Sequence, residues 1–158
     1  MTNGEAFRLE DFLPYRLSVA ANRVSRLFAR RYSEMYGLSI PEWRVLAIVG
    51  RFDTLSPSTV GEWSEMDKVK VSRAAASLVA RGLLRQSPDP RDGRGRLLRL
   101  TRRGMTIYEG MVPVACELEG QLAAGMSRSE WSALLRALDK LSAHAKGVQG
   151  NDGGAAAD

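Results

Sequence analysis

Residues 67–104 read DKVKVSRAAASLVARGLLRQSPDPRDGRGRLLRLTRRG, and this stretch decides the fold. In its first part Val71, Ala75, Leu78 and Val79 recur every three or four residues, which predicts a helix from about Lys68 to Arg81, stopped by Gly82. Residues 83–87 and 96–100 are two short extended segments. Between them Pro88-Asp89-Pro90-Arg91-Asp92-Gly93-Arg94-Gly95 is rich in Pro, Asp and Gly and forces a turn, so the pair reads as a β-hairpin with a basic tip. From Asp67 to Arg103 there are eleven Lys or Arg against three Asp, a balance of +8 in a chain whose net charge is +5. The remainder is therefore about −3, and the positive charge is concentrated where a surface would displace counterions from a phosphate backbone.

Working outward, Ser56-Pro57 opens a helix carrying Val60 and Trp63, with a break near Met66. Before it, Ser39-Ile40-Pro41-Glu42 is a capping box with proline in the first turn, ahead of a short buried helix through Val49 that Gly50 closes. Earlier still, Leu13, Leu17, Ala20, Val24, Leu27, Phe28 and Met35 predict a long amphipathic helix over residues 11–36, ended by Gly37. On the other side Thr101 caps a helix reaching about Ala124, where Gly110 and Pro113 predict a bend. Ser127-Arg128-Ser129-Glu130 is a second capping box, before Trp131, Leu134, Leu135, Leu138 and Leu141. Residues 147–158, mostly Gly, Ala and Asp, are expected to be a disordered tail.

The fold class is thus mainly α with a small β-hairpin wing, a winged helix-turn-helix flanked by long helices. The first helix and the last two carry more apolar surface than three short helices can cover, so a second copy is expected to bury it, giving a homodimer facing a palindromic operator in double-stranded DNA. Groove-facing candidates are Lys68, Lys70, Ser72 and Arg73, with Arg73 the best placed to read a base edge; Ser58 and Thr59 are candidates for phosphate.

The composition removes other classes. At 158 residues with 44% hydrophobic content the chain builds one ordinary core. Its apolar runs, such as residues 45–49, fall far short of the roughly 18 residues needed to span a bilayer, and residues 1–10 hold no signal-peptide core, so no membrane partner and a cytoplasmic location are expected. One cysteine and one histidine exclude a disulfide framework and the usual zinc sets, so neither metal nor cofactor is expected. With no Gly-rich phosphate loop, no G-x-S-x-G and only His144 near the end, enzyme chemistry is not expected. The rival of another class is a winged-helix module that binds nucleic acid without sequence preference, or binds protein.

The series Val71-Ser72-Arg73, then residues 78–85, then Asp89-Pro90-Arg91-Asp92-Gly93-Arg94, then residues 98–104, resembles the signature of the MarR family in order and spacing. The resemblance implies one unit over residues 1–146, with dimerisation helices at 11–36 and 102–146 and the winged DNA-binding region at 38–101. It implies that the arginine of Asp92-Gly93-Arg94 lies near the minor groove and that Asp92 helps to hold the wing arginines in place; Arg91 and Arg96, on the basic hairpin, are further candidates for DNA contact. Members commonly release DNA when a small molecule, often an aromatic acid, binds between the dimerisation helices and the winged region. Tyr15, Arg16, Asn22, Arg23, Tyr36, Trp43 and Arg44 put rings and cations near that junction, suited to an anionic aromatic effector or its coenzyme A thioester. Peroxide-sensing members use a cysteine near the start of the first helix. None stands there in this chain, and Cys116, beside Ala115 and Glu117, reads as an inert packing residue.

Overall fold

The computed structural model describes residues 7–152, with side chains through 149. Among the described residues six helices and three strands follow a single 3₁₀ turn at Leu9–Asp11: α1 (Leu13–Tyr36), α2 (Ile40–Phe52), β1 (Thr54–Leu55), α3 (Pro57–Ser64), α4 (Lys68–Ala80), β2 (Leu84–Asp89), β3 (Asp92–Leu100), α5 (Arg102–Ala123) and α6 (Arg128–Asp152). Backbone contacts divide the chain into two units, residues 1–115 and residues 116–158.

Local chemistry explains the boundaries. α1 ends because Gly37 takes a left-handed conformation (φ 62°) and returns its N–H to the Ser33 carbonyl. The capping box of α2 is complete: Ser39 Oγ accepts from the Glu42 amide at 3.3 Å, and a Glu42 carboxylate oxygen accepts from the Ser39 amide at 2.9 Å. Ser56 caps α3 by accepting from the Thr59 amide, and Asp67 caps α4 by accepting from the Lys70 amide. Thr101 does two jobs at the start of α5, accepting from the Gly104 amide at 3.1 Å and donating to the Gly82 carbonyl at 2.7 Å. The second capping box, Ser127 with Glu130, opens α6.

The core of the first unit is built from Tyr32, Leu38, Val45, Leu46, Val49, Val60, Val71, Leu78, Leu83, Leu84 and Leu98, each almost fully buried. The apolar stripe of α4 lies inside it, so the remaining positions of that helix face outward. The antiparallel sheet has the order β1-β3-β2, with Thr54 opposite Arg99 and Leu84 opposite Leu100.

Several expectations need correction. The hairpin is tighter than the sequence implied: the strands continue to Asp89 and from Asp92, leaving a two-residue connection in place of a turn over residues 88–95. Pro88 is accommodated because β2 is an edge strand, and a register shift at Pro88/Asp89 absorbs the irregularity. β1 was missed, since two residues carry no period. Gly50 does not close α2, which runs on to Phe52; a side chain at 50 would collide with the Tyr108 ring, so glycine here lets α5 approach α2. Cys116 is exposed, not packed. Residues 147–152 are helical, because one or two glycines late in an established helix cost only about 1 kcal/mol each; the rest of the expected tail lies outside the described residues.

Candidate nucleic-acid interface

The turn from α3 to α4 and the return of the hairpin beside them create a groove of about 560 Å³. Ser58 and Gly61 of α3, Lys68, Val71, Ser72 and Ala75 of α4, Gln86 of β2 and Arg96 of β3 are among its walls. Its walls are largely apolar and include two cations, Lys68 and Arg96, with the Ser58 and Ser72 hydroxyls and the Gln86 amide. Four of the expected contact residues, Ser58, Lys68, Ser72 and Arg96, therefore meet at one site. Gln86 was missed; a polar residue on a short, half-apolar strand gave no signal of which way it faces.

The other expected residues stand around this groove without lining it. Lys70 and Arg73 are exposed on α4, and Lys70 Nζ lies 3.8 Å from Asp67. Arg91, Asp92 and Arg94 are exposed at the wing tip. Among the described residues no ion pair engages Arg73, Arg91, Arg94 or Arg96, so their charge is available to a partner. Thr59 is half-buried, its hydroxyl 2.9 Å from that of Ser56.

Two electrostatic expectations change. Asp92 does not orient a guanidinium in the free chain; Oδ1 accepts from the Arg94 amide at 3.1 Å, shaping the turn, as Asp89 does for the Arg91 amide at 2.9 Å. Part of the basic segment is also spent internally. Arg99 is held by Asp53 through two contacts of 3.1 Å, Arg103 reaches the Arg81 carbonyl, and Arg81 donates to the carbonyls of Tyr36 (2.7 Å) and Gly37 (3.2 Å).

That last group forms a hub. Arg81 Nη1 lies 3.4 Å from Glu42, whose other carboxylate oxygen accepts from the Ser77 hydroxyl. Burial pushes the Glu42 carboxyl up, but the hydrogen bonds from Ser77 and the Ser39 amide and the nearby Arg81 charge more than offset it, leaving the group below its ordinary value. The sequence marked Glu42 only as a cap and Arg81 only as part of a basic run.

Of the residues expected near an effector, Tyr15, Arg16, Asn22 and Arg23 are exposed along α1. Tyr36, Trp43 and Arg44 are partly buried at the α1–α2 junction. Trp43 packs on Tyr32 with ring centroids 5.4 Å apart; the Arg44 guanidinium sits 5.8 Å from the Trp43 ring centroid and donates to Ser25. The indole N–H of Trp43 is buried without a hydrogen-bond partner among the described residues. A second, more open depression of about 480 Å³ between α1 and the start of α2 takes in Arg26, Arg30, Ser33 and Ser39, none of them expected.

Among the described residues no three His, Cys, Asp or Glu side chains cluster as a metal site, and no helix is long and apolar enough to cross a membrane.

The model of the MarR family matches residues 36–95, from the end of α1 to the wing. A probable transcriptional regulator from Pseudomonas aeruginosa is 30% identical, with a TM-score of 0.76 over 85% of this chain and 99% of that one. BpsR of Bordetella bronchiseptica, whose DNA binding is regulated by 6-hydroxynicotinic acid, is 26% identical with a TM-score of 0.76, over 87% of this chain and 97% of that one. The HTH-type transcriptional repressor IacR of Pseudomonas putida is 27% identical over 135 residues, 85% of this chain and 80% of that protein.

Proposed function

Because the chain belongs to the MarR family of winged-helix transcriptional regulators, we propose that it is a homodimeric, sequence-specific repressor, released from a palindromic operator by a small aromatic acid or its coenzyme A thioester. The observation that carries this reading is the groove joining Ser58, Lys68, Ser72 and Arg96 beside the outward face of α4. A helix about 10–12 Å across fits a major groove about 12 Å wide, and the backbone strand flanking it then runs between helix and wing. In this pose Arg73, Ser72 and Lys70 face base edges, Lys68, Ser58, Arg91 and Arg96 serve the phosphates, and Thr59 holds the α3 cap. Arg94, on a tip shaped by Asp92, enters the narrow, electronegative minor groove.

Two copies are supported by the exposed apolar residues of each unit: Leu13, Val24 and Leu27 on α1, and Leu134, Leu135, Leu138 and Leu141 on α6. A two-fold pair presents two α4 helices to two half-sites, hence a palindrome. An aromatic acid suits the Arg44 guanidinium over the Trp43 ring at the α1–α2 junction, and BpsR, a relative, responds to such an acid.

The test is selection from a random duplex library with and without a panel of aromatic acids, 6-hydroxynicotinic acid included, and their coenzyme A thioesters. A palindrome whose enrichment disappears with one compound supports the proposal and identifies the effector. No enrichment at moderate salt overturns it in favour of a module that binds nucleic acid without sequence preference, or binds protein.

A further inference from the structure

Tyr36, the last residue of α1, is gripped from two sides. Its hydroxyl presses on Gly110 of α5, where an added Cβ would overlap it. Its carbonyl accepts from Arg81 Nη2 at 2.7 Å, just past the end of α4. Arg81 also holds the Gly37 carbonyl and Glu42, and Glu42 holds Ser77, one turn back along α4. No further turn of α1 restrains Tyr36, because the chain leaves the helix at the left-handed Gly37.

The geometry points to Tyr36 and Arg81 as positioning residues that set the seat of α4 from the α1–α5 contact, so that displacing the Tyr36 ring from Gly110 shifts the DNA-reading helix. This rests on the reading of α4 as the recognition helix. Arg73 lies eight residues before Arg81, about 12 Å along the axis, and a hydrogen-bonded helix of that length moves as a unit. The hub side chains form no part of the groove, so their effect on DNA passes through α4. A packed contact with two discrete arrangements is the kind of element that carries such coupling.

The substitution Gly110→Ala tests this without an effector. The new methyl meets the Tyr36 hydroxyl, and because the ring is packed against the core it cannot swing clear, so the residue shifts together with its carbonyl while the fold survives. Operator affinity should fall about tenfold, within the usual range for coupled sites, with the salt slope unchanged because no phosphate contact is touched. Adding Tyr36→Phe, which removes the colliding hydroxyl, should restore affinity. In an Arg81→Met background, where the link is cut, Gly110→Ala should cause no further loss. Wild-type affinity in Gly110→Ala, or an equal loss with and without Arg81, overturns the inference. If the wild-type chain selects no operator, the proposed function fails, and amide exchange reads the link independently: it should quicken at residues 77–81 in Gly110→Ala, and unchanged exchange there overturns it.

Discussion

Arg81 and Tyr36 are joined by a hydrogen bond of 2.7 Å from guanidinium to main-chain carbonyl, across 45 residues of sequence. The bond satisfies a carbonyl that the end of α1 leaves without an intrahelical partner, and it uses a side chain from the end of α4 to do so. One guanidinium thus serves two carbonyls and a carboxylate, a geometry that lysine cannot reproduce.

Replacing Arg81 by Met should therefore lower stability by about 1–3 kcal/mol, chiefly through the acceptors left unpaired and only slightly through the partly exposed ion pair. Arg81→Lys should recover part of the loss. Urea unfolding checks both, and wild-type stability in Arg81→Met would show that water replaces the guanidinium at no cost.

Glu42 gives this hub a pH dependence of known sign. Its carboxyl is lowered in the folded chain, with burial opposing and the Ser77 and Ser39 hydrogen bonds and Arg81 prevailing. The stabilisation is present above the unfolded-state value and is lost as pH falls through the lower folded value. Between pH 6 and pH 3 the wild-type protein should lose more stability than Glu42→Gln, which has no proton to take up at 42. Parallel unfolding curves over that interval would remove Glu42 from the acid response.

The helical frame was legible because its signals are local: Ser39, Ser56, Thr101 and Ser127 each announce a cap within four residues, and α4 shows its buried stripe in its period. The groove was legible in part, since Lys68, Ser72 and Arg96 fall on elements whose order was readable. What stayed hidden depends on pairs far apart in sequence. Arg81 and Arg99 look like their basic neighbours until Tyr36, Glu42 and Asp53 are seen beside them. Gly50 and Gly110 read as a stop and a bend, although each is a seat for a tyrosine from another helix.

Gly104 offers a contrast with Gly93. A Cβ at 104 would overlap the Leu83 main-chain carbonyl, which the Thr101 amide holds at 3.0 Å, whereas one at 93 meets nothing within 4 Å. Gly104→Ala should cost at least about 1–3 kcal/mol through overpacking, and Gly93→Ala should stay within about 0.5 kcal/mol of wild type. Equal melting shifts for the two would mean that the junction of Leu83 with α5 relaxes freely.

The wing and the recognition helix should fail in different ways, and the difference tests the assignment of Arg94 and Arg73. Arg94 stands at an exposed tip with no ion pair among the described residues, so on the proposed pose Arg94→Ala removes a charge from the minor groove and should leave the proposed dimer intact. Binding should weaken on all sequences and the salt slope should fall by about one. Arg73 lies on the outward face of α4, where a guanidinium can reach a guanine edge. Arg73→Ala should cost about 1–3 kcal/mol on the operator and less on random duplex, relaxing preference at one position of each half-site. Titrations of both variants against operator and random DNA at several salt concentrations separate the cases. A uniform loss in Arg73→Ala would reassign that side chain to a phosphate, and undiminished binding in Arg94→Ala would take the wing tip out of the interface.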